Sequence, residues 1–101
     1  MINTGVKIAL PEGWMAMIFP RSSIGAKTGL RLSNSCGIID STYRGNLGIL
    51  YDNISDSDYT IEEGDRIAQL LIMPSYHFRA ELVDKVPDTV RGEGGFGSTG
   101  V

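Results

Sequence analysis

Asp40 stands directly after the apolar pair Ile38-Ile39 and three residues before Tyr43. A carboxylate in such a setting can act as a general base, taking a proton from an attacking water. The same residue ahead of Ser41-Thr42 also suits an Asx-type turn. Arg21-Ser22-Ser23 sets a cation and two hydroxyls just before a possible helix start at Ile24. Unpaired N–H groups and the helix dipole favour an anion there, and a helix cap with a solvated Arg would use the same residues. The stretch Arg91-Gly92-Glu93-Gly94-Gly95-Phe96-Gly97-Ser98-Thr99-Gly100 interleaves one Arg, one Phe, one Ser and one Thr with glycines. A flexible lid over a phosphorylated ligand needs that mixture, because glycine lets backbone N–H groups approach phosphate closely. A frayed terminus has the same composition. By themselves, Gln69 reads as an outward strand residue, Tyr43 as a half-buried strand residue and Asn34 as a turn residue.

The elements that must carry these groups are short strands. Val6 to Leu10 alternates and stops at Pro11-Glu12-Gly13, and Trp14 to Phe19 is apolar and stops at Pro20. Gly37-Ile38-Ile39 and Leu47 to Tyr51 are further short runs, the second leading into the polar loop Asp52 to Asp58. Tyr59-Thr60-Ile61 precedes a turn at Glu62 to Asp65; Arg66 to Met73 is apolar and ends at Pro74; Phe78 to Val83 alternates. Short strands punctuated by thirteen glycines and four prolines predict a sandwich or barrel. Helix is confined to one or two turns after Pro20, with Ser22 or Ser23 as the expected cap. The flanking Gly64 and Pro74 make Arg66 to Leu71 a buried strand rather than a helix. The expected core is Val6, Ile8, Leu10, Met17, Ile39, Ile49, Ile67, Leu70 and Ile72.

A chain of 101 residues makes at most one domain, with a small core that a partner subunit could complete. The single Cys36 excludes an internal disulfide, and with the single His77 it argues against a Cys/His zinc site. A net charge of −3 argues against broad nucleic-acid binding. It leaves room for one small polyanion, and six of the nine basic residues are Arg, whose donor fork suits phosphate. No apolar run is long enough to span a membrane. The sequence opens without a basic stretch followed by an apolar one, so no secretory signal is expected, and a cytoplasmic, intracellular protein is.

Four segments together resemble the trimeric dUTP diphosphatases (dUTPases): Pro20 to Gly25, Asn34 to Gly45, Gly64 to Gln69 and Arg91 to Gly100. They are similar to the second to fifth of that family's five motifs, in order. The resemblance implies an all-β, jelly-roll-like distorted barrel over residues 1–90, a flexible lid over 91–101, and a homotrimer with shared active sites. It implies hydrolysis of dUTP to dUMP and pyrophosphate, with Mg²⁺ held mainly by the phosphates and by water rather than directly by side chains. Asp40 becomes the catalytic base. Arg21, Ser22 and Ser23 would grip the β- and γ-phosphates, and Gln69 the α-phosphate region. Asn34 and Gly37 belong to a hairpin that reads uracil through its backbone. The Tyr43 ring would lie under the deoxyribose and exclude a 2′-OH. In the lid, Arg91 is assigned to phosphate, Phe96 to stacking on uracil, and Ser98 and Thr99 to the γ-phosphate. Asp65 and Arg66 are expected to be structural, pairing with one another or with a neighbouring chain. Neither a nucleic acid nor a membrane is expected as a partner.

Two departures from the family pattern stand out. The first motif, an Ala-Gly-Tyr-Asp-Leu-like segment expected ahead of Thr4 to Ile8, is missing; it would supply early strands and an acidic residue near the phosphates. Thr42 replaces an acidic residue often found there, with little expected effect. The alternatives are a catalytically silent dUTPase-like nucleotide-binding or regulatory protein, a dCTP deaminase-like enzyme, and a β-sandwich interaction module. Pyrophosphate release, ammonia release and ligand-induced thermal shift distinguish them.

Overall fold

The computed structural model describes residues 1–100. The strands are β1 (Ile2–Asn3), β2 (Trp14–Pro20), β3 (Leu30–Leu32), β4 (Gly37–Ile39), β5 (Gly48–Ile49), β6 (Tyr51–Asn53) and β7 (Ala68–Pro74), with one helix, α1 (Ser22–Lys27). They form three small antiparallel sheets, β1-β5, β4-β2-β7 and β3-β6. Among the described residues the chain is all-β with one short helix, as expected, but its sheets do not close into a barrel within a single chain.

β2 is the spine. Its apolar run bounded by Pro20 gives seven residues, all paired with β7 from Trp14↔Pro74 to Pro20↔Ala68. On its other side, Ala16, Met17 and Ile18 pair with Ile39, Ile38 and Gly37. Side chains alternate between faces with period two, so Ala16 and Ile18 share one face and are buried, while Met15 and Met17 are half-buried on the other. Ile18 joins Leu47, Ile49 and Ile67 in the main core cluster, flanked by Ile39, Tyr51 and Ala68. Gly37 allows this approach: a Cβ there would sit 3.0 Å from Ile18 Cβ.

Of the expected core, Leu10, Ile49 and Ile67 are buried, and Ile8, Met17 and Ile39 are half-buried. Val6, Leu70 and Ile72 are 49%, 37% and 52% exposed. β7 is a sheet edge and beyond Ala68 overhangs the core: the strand expected over Arg66 to Met73 forms over Ala68–Pro74, with Ile67 buried just ahead of it and Gln69 to Ile72 exposed. Ala16, Ile18, Ile24, Leu30 and Leu47 complete the core instead. The strand expected at Val6 to Leu10 is absent: the chain leaves the β1-β5 ladder after the Leu47 N–H donates to the Val6 carbonyl at 2.8 Å. Phe78 to Val83 and Tyr59 to Ile61 form no strand either. The run Leu47 to Tyr51 splits between β5 and β6, which belong to different sheets.

Candidate active site

Asp40 follows the last residue of β4. The Tyr43 N–H donates to the Asp40 carbonyl at 3.3 Å, closing a turn that Arg44 braces by donating to the carbonyls of Ser41 (2.6 Å) and Tyr43 (3.0 Å). Both donors of Thr42 converge on one carboxylate oxygen: its N–H reaches Asp40 Oδ1 at 2.8 Å, and its hydroxyl donates to the same atom. These bonds, the hydroxyl's first, hold the Asp40 carboxyl below its ordinary range, because donors to the charged form stabilise it. The carboxylate is exposed and therefore open to water and ligand.

Asp40 and Tyr43 line one cleft of about 500 Å³ together with Ile38, Ile39, Asn46 and Leu50. That volume suits a small organic ligand, as does an apolar wall carrying few polar groups. The Tyr43 hydroxyl donates to the Asn46 carbonyl at 2.7 Å, which folds the ring back over Gly45. A Cβ on Gly45 would lie 2.5 Å from that hydroxyl oxygen, so the ring's position depends on glycine.

The Arg21 corner is built differently. Arg21 is the N-cap of α1 in extended conformation, and no side chain caps the helix. Ser22 and Ser23 are the first helical residues rather than the cap. Arg21 Nη1 donates to the Arg66 carbonyl at 3.2 Å, and Gln69 Nε2 donates to the Pro20 carbonyl at 2.9 Å. Both bonds tie the Arg-Ser-Ser segment to the start of β7. A second cleft here is lined by Arg21, Ser23, Tyr59, Asp65 and Arg66. Asp65 does not pair with Arg66; its carboxylate accepts the Glu62 N–H at 2.9 Å and closes the Glu62–Asp65 turn.

Asn34 lies in a tight turn in which the Ser35 N–H donates to the Leu32 carbonyl at 3.1 Å and Ser35 has φ of 63°. The expected hairpin is not formed by its flanking strands: β3 pairs with β6, and β4 with β2. The turn therefore carries the chain from one sheet to another, and Gly37 faces Ile18.

The expected lid lies apart. Its hydrogen bonds are local, from Arg91 Nε to the Gly94 carbonyl (2.6 Å), from the Ser98 N–H to the Gly95 carbonyl (3.1 Å) and from the Gly92 N–H to Thr89 Oγ1 (3.0 Å). Phe96 is fully exposed, and the last residue expected in the lid, Val101, lies outside the described residues. A single chain thus brings Asp40 to Tyr43 and Arg21 to Ser22, Ser23 and Gln69. It does not bring those two groups into one cleft, nor Arg91, Phe96, Ser98 and Thr99 to either. Thr42, Asn46 and the Arg66 carbonyl were missed as parts of these sites. Only Thr42 carried a signal, since a hydroxyl residue two places after Asp is suited to bond it.

The chain matches the family description of the dUTPases over residues 1–100. It is 45% identical over 101 residues to a deoxyuridine 5′-triphosphate nucleotidohydrolase of Clostridium novyi (strain NT), covering all of this chain and 71% of that protein. The dUTPase of Staphylococcus bacteriophage 80alpha, solved with dUPNHPP, superposes with a TM-score of 0.82 at 32% identity, over 98% of this chain and 74% of the other. A mutant dUTPase of S. aureus phage phi11, whose structure reveals how a structural Mg(II) ion is coordinated, superposes with a TM-score of 0.73 at 28% identity, over 85% and 72% of the two chains. Matched along its described length in sequence, and in strand arrangement to solved members with jelly-roll folds, this chain belongs to the dUTPase family.

Proposed function

We infer that this chain is a dUTP diphosphatase that hydrolyses dUTP to dUMP and pyrophosphate. The observation that carries the reading is Asp40, an ionised carboxylate at the mouth of a ligand-sized cleft beside Tyr43, in a chain that matches the family from residue 1 to 100. Asp40 takes a proton from a water, which attacks the α-phosphorus in line as pyrophosphate leaves. Arg21, Ser22 and Ser23 hold the terminal phosphates and Gln69 the α-phosphate region; such positioning turns a bimolecular encounter into an oriented one. The turn from Asn34 to Gly37 reads the base through its backbone, Tyr43 meets the deoxyribose, and Arg91, Phe96, Ser98 and Thr99 close over the ligand and exclude water.

The donor set fits Mg²⁺ carried by the substrate: Arg21, Ser22 and Ser23 offer a guanidinium and two hydroxyls, which suit phosphate oxygens rather than a cation. Arg21, Ser22 and Ser23, on the phosphates they grip, would hold the ion through the substrate. Bound there, it would supply positive charge against the leaving pyrophosphate.

The separation of the Asp40 and Arg21 clefts, the unengaged lid and the exposed Leu70, Leu71 and Ile72 support a homotrimer in which neighbouring copies complete each site.

The test is pyrophosphate release from dUTP with Mg²⁺, for the native chain and for Asp40→Asn. The substitution should lower turnover by about 10²–10⁴-fold while a non-hydrolysable dUTP analogue still binds. Native-like turnover by Asp40→Asn rules out Asp40 as the base.

A further inference from the structure

We propose that Thr42 is a positioning residue for hydrolysis, its hydroxyl fixing Asp40 so that one carboxylate oxygen is held and the other is presented to water. The inference rests on the reading of Asp40 as the base. Two donors from one residue, backbone and side chain, meet on Oδ1. An Asx turn would account for the backbone bond alone; the hydroxyl adds a second restraint on the carboxylate plane. Among the described residues no bond is made to Oδ2, so that oxygen is the one free to accept a proton. Thr42 and Asp40 are both exposed, so packing within this chain does not fix the carboxylate, and the hydroxyl does so in its place. The resemblance to other dUTPases suggested that a Thr at this position mattered little; the geometry assigns it a role.

The same bonds favour the ionised carboxylate. A base must be ionised to act, so activity is lost as pH falls through its pKa. Removing the hydroxyl releases part of that stabilisation and moves the acidic limb to higher pH. The other ionisable group lining this cleft is the Tyr43 phenol, engaged on the Asn46 carbonyl. Arg44 beside it is directed to the carbonyls of Ser41 and Tyr43. Neither bond involves the Thr42 hydroxyl.

The experiment compares kcat, KM and the pH dependence of kcat for the native chain, Thr42→Val, Thr42→Ser and Asp40→Asn, with affinity for a non-hydrolysable dUTP analogue as the check on folding. Thr42→Val should lose about tenfold or more in kcat, keep KM and analogue affinity within about twofold, and shift its acidic limb upward. Thr42→Ser, which keeps the hydroxyl, should restore both kcat and limb. An unchanged kcat and limb in Thr42→Val overturns the proposal, as does a loss confined to KM or one that Thr42→Ser fails to repair. Turnover surviving in Asp40→Asn removes the base itself, a separate failure seen in a different variant.

Discussion

At the scale of single residues, this site is defined by what neighbouring backbone does to a few side chains. Tyr43 illustrates it. Its ring is held by one bond from its hydroxyl to the Asn46 carbonyl, and the space it occupies exists because residue 45 has no Cβ. If the ring's position rejects a 2′-OH, Gly45→Ala must disturb that rejection without touching a phosphate contact. The ratio of kcat/KM for dUTP over UTP should fall by about tenfold, in the range that one misplaced small group can produce in a pocket. An unchanged ratio would mean that Gly45 does not set the ring. The sequence displayed Asp40, Tyr43 and Arg21 plainly, because their types and spacing follow a motif. It concealed Asn46 and Arg66, which act through main-chain carbonyls that every residue type possesses.

At the scale of elements, where a strand ends was more legible than whether it finds a partner. β2 and β7 end at Pro20 and Pro74, where proline cannot continue a ladder. Val6 to Leu10 shows an equally good alternation, yet alternation describes a face and does not supply a neighbour to pair with. The faces themselves were half legible: Ile67 is buried and Ile72 is not, because β7 is an edge strand and the pattern along one strand does not reveal which neighbour covers it. Tyr51 gives the element scale its test. Its hydroxyl donates to the Ile67 carbonyl at 2.5 Å, joining β6 to the segment that enters β7. Burial raises its pKa, so the folded state favours the neutral phenol. That stability is fully present below the unfolded pKa of about 10 and is lost as pH rises through the higher folded value. Tyr51→Phe should therefore destabilise the chain by about 1 kcal/mol at neutral pH, and the gap from the native chain should narrow above pH ~10. Urea unfolding at neutral and alkaline pH reads both; coincident midpoints at neutral pH would show that the bond contributes nothing.

At the scale of the whole molecule, the chain is expanded. Its radius of gyration is 18.8 Å and its extents are 53 × 39 × 18 Å, against about 13 Å expected for a compact domain of this length. The one ion pair among the described residues, Lys85 with Asp88 at 3.6 Å, is exposed and worth little. Large apolar side chains from Leu70 to Val90 remain in solvent, a surface of the kind that the proposed trimer would cover. The sequence pattern does not state what covers it, because alternation along a strand describes only that strand's own faces. If three copies share their sites, removing residues 91–101 should leave a folded assembly of roughly three chain masses that has lost most of its turnover. Mixing it with full-length Asp40→Asn under conditions of subunit exchange then becomes decisive. Some mixed trimers would place an intact Asp40 from a shortened chain beneath an intact lid from its neighbour, so turnover should rise above that of either parent. Exchange demonstrated by mass, with no gain in turnover, would mean that each lid serves its own chain; an unfolded shortened chain would mean that residues 91–101 hold the fold rather than the ligand.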